Sequence, residues 1–351
     1  MTAPPADLHF IHPGPVTRRT GGTIYDRRVI DTLRDGGLDV VLHELDGDFP
    51  HCGAATEDAA GRLLAAFPAG ARVVADGLAL PAFRLSLAAH AGRLRFAALV
   101  HHPLADETGL TAADRRRLFD IEQEALRHAD AVIVPSAAMR RRLADFDVPA
   151  ERVFVVPPGT DPAPRATGGA SDGLTLLCVA SVTPRKGHRT LLAALDRCRD
   201  LDWRLICAGP TGLDAACWTQ VQNAVARHGL GDRVSFTGTR TGRSLEALYD
   251  GADLFVLASA YEGYGMAFAE ALARGLPVIA SGAGAVAETV PEAAGCLVPV
   301  GDAGALAAAL RGLMADPALR RAKADAAWAA GRALPDWPEA ARRFAAALGF
   351  E

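Results

Sequence analysis

The stretch that decides the fold is Ala252-Asp253-Leu254-Phe255-Val256-Leu257-Ala258-Ser259, followed by Tyr261-Glu262-Gly263-Tyr264-Gly265-Met266-Ala267-Phe268-Ala269-Glu270. The first eight residues form a continuous apolar run and read as a buried strand. The next ten open as a glycine-rich loop and pass into a helix. Gly275-Leu276-Pro277 stops that helix, and Val278-Ile279-Ala280 begins another strand. Strand, loop, helix, strand is the unit of a parallel α/β sheet. Its loop lies beyond the carboxyl end of a strand, where such sheets bind ligands. The free N–H groups of the helix start can hold a diphosphate. Glu262 then meets polyol hydroxyls near the loop, and Glu270, one to two turns into the helix, can accept hydrogen bonds from a ribose diol.

The same alternation runs outward in both directions. Upstream strands are expected at Leu8 to His12, Leu38 to Leu45, Ala71 to Ala75, Arg95 to Val100, Ala131 to Val134 and Val153 to Val156. A glycine-rich turn at Thr20-Gly21-Gly22-Thr23 precedes a helix through Arg27 to Arg34, and Ser136 caps another helix. Residues 157–172, rich in Pro, Gly, Ala and Ser, read as a linker. Strands resume at Leu174 to Ala180, Leu205 to Ala208 and Val234 to Phe236, and Trp337 to Leu348 is an amphipathic helix. The expected architecture is α/β, with two doubly wound Rossmann-like domains.

Composition narrows the class. At 351 residues, 50% of them hydrophobic, the chain suffices for two domains. The net charge of −4, with neither end strongly basic, offers no nucleic-acid platform. Cysteines 52, 178, 198, 207, 217 and 296 show no C-x-x-C pair and no metal-ligand spacing, so they read as buried thiols of a reducing compartment. The start, Ala3-Pro4-Pro5-Ala6-Asp7-Leu8, has neither the charged nor the apolar region of a signal peptide, and no apolar run is long enough to span a bilayer. A cytoplasmic protein is expected. Only two of the 37 basic residues are lysines, at 186 and 323.

The pair Glu262 and Glu270, with Glu262-Gly263-Tyr264-Gly265 and the downstream Ala273-Arg274-Gly275-Leu276-Pro277-Val278-Ile279-Ala280-Ser281, resembles the E-x7-E signature of retaining glycosyltransferases of the GT-B fold, especially glycosyltransferase family 4. The resemblance covers most of the chain and is densest from about 174 to 300. It implies an acceptor domain over 1–160, a nucleotide-sugar domain over 170–330 facing it across a cleft, and a C-terminal helix, 335–351, crossing back to the first. It also implies retaining transfer of a hexosyl group from a UDP- or GDP-sugar to an acceptor that no motif identifies. No cofactor or metal is expected.

Several residues gain a role from this resemblance. Thr183-Pro184-Arg185-Lys186-Gly187-His188 follows the first strand of the second domain. Lys186 matches the family's lysine before glycine, and cations there stabilise a departing diphosphate. Many relatives carry Gly-Arg five residues before that lysine. This chain has Ala180-Ser181, so Arg185 is expected to supply the charge. Gly21 and Gly22 resemble the family's glycine pair, which lets backbone approach a ligand. His101 matches a histidine that faces the donor sugar, ahead of its neighbour His102. Catalytic roles are thus expected for Glu262, His101, Lys186 and Arg185. Donor binding is expected from Gly21, Gly22, Gly263, Tyr264, Gly265, Met266 and Glu270.

Other features have plainer readings. Ser281-Gly282-Ala283-Gly284-Ala285-Val286-Ala287 matches G-x-G-x-x-A and is the main argument for a nicotinamide oxidoreductase. It comes late, whereas such a fingerprint opens its domain. A nucleotide-sugar epimerase and a non-catalytic sugar-nucleotide-binding homologue are the remaining alternatives. Asp46-Gly47-Asp48 and Asp200-Leu201-Asp202 match the metal-binding D-x-D but sit in turn-like surroundings, as solvated acids. Arg115-Arg116-Arg117 and Arg140-Arg141-Arg142, with acids around them, read as solvated helix faces rather than membrane-docking patches.

Overall fold

The computed structural model describes residues 6–18, 20–169 and 173–350; residues 3–5 of the expected leaderless start and 170–172 of the expected linker lie outside them. The chain forms two compact units, Met1–Gly159 with Pro335–Glu351, and Thr160–Leu334.

In the first unit six strands, β1 (Leu8–Pro13), β2 (Val40–Leu45), β3 (Arg72–Asp76), β4 (Arg95–Leu99), β5 (Ala131–Val134) and β6 (Val153–Val155), form one sheet in the order β2-β1-β3-β4-β5-β6. Every pairing is parallel. Such sheets are covered on both faces, which is why Ala131-Val132-Ile133-Val134 is apolar at every position and wholly buried. The strand order reverses between β1 and β3. In the second unit β7 (Leu174–Val179), β8 (Trp203–Ala208), β9 (Val234–Gly238), β10 (Leu254–Leu257), β11 (Val278–Ser281) and β12 (Gly295–Val298) follow the order β12-β11-β10-β7-β8-β9, again all parallel. Here the reversal falls between β7 and β10. Both sheets are doubly wound, and sheets of this kind bind ligands at the point where the strand order reverses.

Two sequence readings are corrected, and three elements are added. Gly21 and Gly22 do not lie in a turn; they begin the helix Gly21–Asp35, because Thr20 caps it by accepting from Thr23 N. The second strand starts at Val40, not Leu38, because Leu38 N still bonds back to Leu33 O and closes that helix. Strand β12 and the helices Ala303–Ala315 and Pro317–Gly331 were not foreseen. The four residues of β12 form an edge strand with Leu297 exposed, too short for a clear pattern.

The helix Trp337–Ala347 belongs to the first unit and is capped by Asp336, whose carboxylate accepts from Glu339 N. It packs on the helix Gly21–Asp35 and on β5. Phe344 is fully buried, its ring 6.4 Å from that of Phe10, and Trp337 lies against Tyr25. Phe344→Ala removes the centre of this contact and is expected to cost about 3–5 kcal/mol. Calorimetry should show the first unit melting earlier while the second is unmoved; an unchanged trace would mean that the C-terminal helix adds no stability.

Candidate functional site

At the reversal of the second sheet, the segments after β7 and β10 are laced together. The short turn Pro184–Lys186 follows β7 and leads into the helix His188–Asp196. Ala260 N, beyond β10, donates to Arg185 O at 2.7 Å. Lys186 Nζ donates to Glu262 Oε1 at 2.6 Å, and Ser259 Oγ donates to the same oxygen at 2.5 Å. The Arg185 guanidinium donates to Tyr261 O at 3.0 Å and lies 3.6 Å from Glu262 Oε2. Glu262 is 6% exposed. Burial alone pushes its carboxyl up, but the charges of Lys186 and Arg185 and the hydrogen bonds from Lys186 and Ser259 hold it below its ordinary value. Lys186, Arg185 and Glu262 therefore form one charged group, and the Glu262 carboxylate is engaged by protein partners.

The loop after β11 supports it. Ala285 N donates to Glu262 O at 2.9 Å, and a side chain on Gly284 would collide with that carbonyl. Thr289 Oγ1 donates to Tyr264 O at 2.8 Å. The G-x-G-x-x-A match thus owes its second glycine to the close approach of the Glu262 backbone, which removes the main argument for a nicotinamide enzyme.

Gly263, Tyr264 and Gly265 are half-buried and lead into the helix Met266–Ala273, with Gly265 at its cap and Met266 its first residue. A helix start leaves N–H donors free for an anion. Glu270 has a different partner from Glu262: the buried Tyr249 hydroxyl donates to its Oε2 at 2.7 Å. Burial raises the Glu270 carboxyl above its ordinary value, Asp161 adds to this, and the Tyr249 hydrogen bond and the Arg274 charge work against it.

The other predicted residues gather at the reversal of the first sheet. His101 follows β4, and its Nε2 lies 2.6 Å from Asp26 Oδ1 and 3.3 Å from Asp76 Oδ2. His12 Nε2 stands 3.7 Å from Asp26 Oδ2, and its Nδ1 donates to Gly14 O at 2.8 Å. Gly22 touches this group, since a Cβ there would sit 3.0 Å from His101 Cδ2, whereas one on Gly21 would meet nothing within 4 Å. Gly22 therefore makes room for the His101 ring. His102 is half-buried beside Glu107.

Ser259, Tyr249, Asp26, Asp76 and His12 were missed. Ser259 stands three residues before Glu262, a spacing that could have been noticed; the others come from distant segments and carry no local signal. The cysteine reading is corrected in two respects. Cys52 and Cys296 are only half-buried. Cys178 and Cys207, paired across β7 and β8, meet His188 with donor atoms within 4.8 Å of one another, and so do Asp26, Asp76 and His101. Either trio offers donors to a cation, but the 2.6 Å between His101 and Asp26 is the length of a charge-assisted hydrogen bond.

The plainer motifs are tied to their surroundings. Asp46 and Asp48 are exposed, and Asp200 forks onto Arg311 at 2.6 and 2.7 Å. Arg142 grips Asp106 through two hydrogen bonds of 2.7 Å and also meets Asp145. Arg116 pairs with Asp120, while Arg115 and Arg140 donate to the carbonyls of Ala105 and Ala150. Among the described residues no helix is long and apolar enough to cross a membrane.

Residues 173–316 match the family model described as Glycosyl transferases group 1, and residues 60–164 match Glycosyltransferase Family 4. The lipopolysaccharide core biosynthesis mannosyltransferase LpsB of Rhizobium meliloti (strain 1021) is 32% identical over 240 residues, 61% of this chain and 64% of that protein. A D-inositol 3-phosphate glycosyltransferase of Salinispora arenicola (strain CNS-205) is 31% identical over 232 residues, 59% of this chain and 52% of that protein. The chain thus spans about half to two thirds of the length of these curated relatives. A solved sucrose-phosphate synthase (tll1590) from Thermosynechococcus elongatus has a TM-score of 0.81 at 24% identity, covering 97% of both chains. HepE from Anabaena, in complex with UDP and glucose, has a TM-score of 0.80 at 19% identity, covering 98% of this chain and 99% of its own. At such identities these structures show the fold, which is GT-B.

The buried ion pair makes a testable claim on stability. Removing one partner of such a pair costs about 3–5 kcal/mol, because the other charge stays buried. Because the folded pKa of Glu262 lies below its ordinary 4.5, its share of stability is present above that pH and is lost as pH falls through the depressed value. Thermal melts over an acid series should show Lys186→Met less stable than wild type near neutrality and less sensitive to acid. The double variant Lys186→Met/Glu262→Gln should recover most of the neutral-pH loss. Melts of Lys186→Met that follow wild type throughout would mean that the pair contributes nothing.

Proposed function

The chain belongs to glycosyltransferase family 4, and from that premise we propose that it transfers a hexosyl group from a nucleoside-diphosphate sugar to an acceptor, with retention and without a metal ion. The observation that carries the reading is the meeting of Lys186 and Arg185 with Tyr261 and Glu262, in the loop that leads into the helix Met266–Ala273 at the reversal of the second sheet. Two cations held against a loop that opens a helix suit a diphosphate.

The roles follow from chemistry. The bond from the anomeric carbon to the β-phosphate oxygen breaks, and a bond to the acceptor oxygen forms on the same face. The acceptor's proton passes to the departing diphosphate. Lys186, Arg185 and the amides around Gly265 and Met266 stabilise the charge that builds on that leaving group. Glu262 holds both cations in place, and its loop, Gly263 and Tyr264 included, borders the transferred sugar. Glu270 accepts from the ribose through Oε1, while Tyr249 steadies Oε2. His101, with Gly22 making room for its ring, meets the transferred sugar, and Gly21 belongs to the same donor-binding segment. The HepE complexes with UDP and with UDP-glucose support a uridine donor, and the name of LpsB supports a mannosyl one. UDP-glucose and GDP-mannose are therefore the donors to test first. A cytoplasmic setting is part of the proposal.

Calorimetry with free UDP and GDP, in buffer containing EDTA, tests it. One of the two should bind wild type despite the chelator. Glu270→Ala should weaken it about ten- to a hundredfold, the scale of a hydrogen bond to a charged group, and Glu262→Gln should weaken it too, because the cations lose the carboxylate that holds them. Unchanged affinity in either variant, or binding that needs Mn²⁺, would contradict the assignment.

A further inference from the structure

The group around His101 is built more elaborately than a strand-end histidine requires. Asp26 is fully buried and Asp76 is 4% exposed, yet both carboxylates point at one imidazole nitrogen. They arrive from different elements, Asp26 from the helix Gly21–Asp35 and Asp76 from the end of β3. Asp76 Oδ1 is further fixed by accepting from Leu78 N at 2.7 Å. Tyr25 packs edge-on against the imidazole, and its hydroxyl donates to Val156 O at 2.8 Å. The chain after His101 is also pinned. The buried Glu122 carboxylate accepts from Leu104 N at 2.7 Å and from Ala105 N at 3.1 Å, and Arg142 forks onto Asp106. Burying two carboxylates is expensive unless they are paired and hydrogen-bonded. Only the imidazole retains partial access to solvent, its side chain being 21% exposed.

We propose that Asp26 and Asp76 are positioning residues for His101: their carboxylates grip the Nε2–H from two sides, keep the ring an imidazolium, and leave Nδ1 as the nitrogen that meets a ligand. This rests on the reading that His101 meets the transferred sugar. A ring held in this way donates from Nδ1 to a sugar hydroxyl in a fixed direction, and no rotation has to be frozen when the ligand arrives. The electrostatics agree. Burial by itself lowers His101, but Asp26 and Asp76 overcome this and carry it up to about 10. Asp26 is pushed up to about 8 by burial, with His101 pulling it down and the neighbouring Asp76 pushing it up. Burial also presses Asp76 upward, but the His101 hydrogen bond and charge outweigh it and leave that carboxyl below its ordinary value. Among the described residues, the titratable groups facing the ring are Asp26, Asp76 and Tyr25, with His12 behind Asp26.

The test is two-bond ¹H–¹⁵N NMR of the full chain, with His101 assigned among the ten histidines by the signal lost in His101→Gln. In wild type the ring should remain charged through neutral pH, with both nitrogens protonated. Asp26→Asn and Asp76→Asn should each move its titration down toward the ordinary range. A wild-type ring that titrates near 6.5, or one unmoved by both substitutions, would overturn the proposal. The wild-type titration decides the matter even if a variant fails to fold. UDP-glucose and GDP-mannose are then added in turn. One of them should shift the Nδ1 signal far more than Nε2. A clamped ring that neither donor disturbs would overturn the role of His101 at the sugar, while leaving the diphosphate reading of Lys186 and Arg185 to stand on its own calorimetry.

Discussion

The second unit is organised around one buried ion pair, Lys186 to Glu262. It joins the turn after β7 to the loop after β10, the two strands between which the sheet reverses its order. Nearly everything placed at that point depends on it. Arg185 is fixed because its own carbonyl receives Ala260 N and its guanidinium reaches the Glu262 loop. The helix Met266–Ala273 starts where it does because the loop before it is held at Glu262 by Ala285 N and at Tyr264 by Thr289. A pair of this kind adds little net stability over an apolar contact. Its benefit is positional. On the proposed reading it keeps two cations pre-arranged for the diphosphate, so that little reorganisation is left for the moment of reaction.

The first unit solves a similar problem with the charges exchanged. There the cation is a histidine and the fixing groups are two carboxylates, Asp26 and Asp76, again at the reversal of a parallel sheet. In both units a polar cluster rests on strands that are largely apolar. The sheets provide the burial that makes each hydrogen bond directional, and the strand ends provide backbone groups that complete the clusters. Glycine enters where a side chain would block them, at Gly284 beside Glu262 and at Gly22 beside His101.

The fold was legible because parallel strands are continuous apolar runs bounded by turn residues, and most of these runs stand out without ambiguity. What failed was short, mixed or capped from outside. The edge strand β12 is only four residues long and partly exposed, and Thr20 extends a helix over two glycines that look like a turn. The candidate site was legible where chemistry lies close in sequence, as in Thr183 to His188 and Tyr261 to Glu270. It was not legible where partners come from afar. Asp26 stands beside Arg27 and Arg28 and looks like part of a solvated face, yet it is fully buried against His101 from 75 positions away. Tyr249 and Glu270 sit on separate helices, and Cys178, His188 and Cys207 meet only because β7 and β8 are neighbours. Residue spacing along the chain does not encode such meetings.

The central claim is that the Lys186–Glu262 pair holds the cations for a diphosphate. A crystal structure of the protein with UDP bound tests this most directly. The β-phosphate should lie within hydrogen-bond reach of Lys186 and of the backbone amides around Gly265 and Met266, with the Glu262 carboxylate still on Lys186 and the ribose at Glu270. UDP bound with its diphosphate away from Lys186, or Lys186 swung free of Glu262 to reach it, would contradict the account.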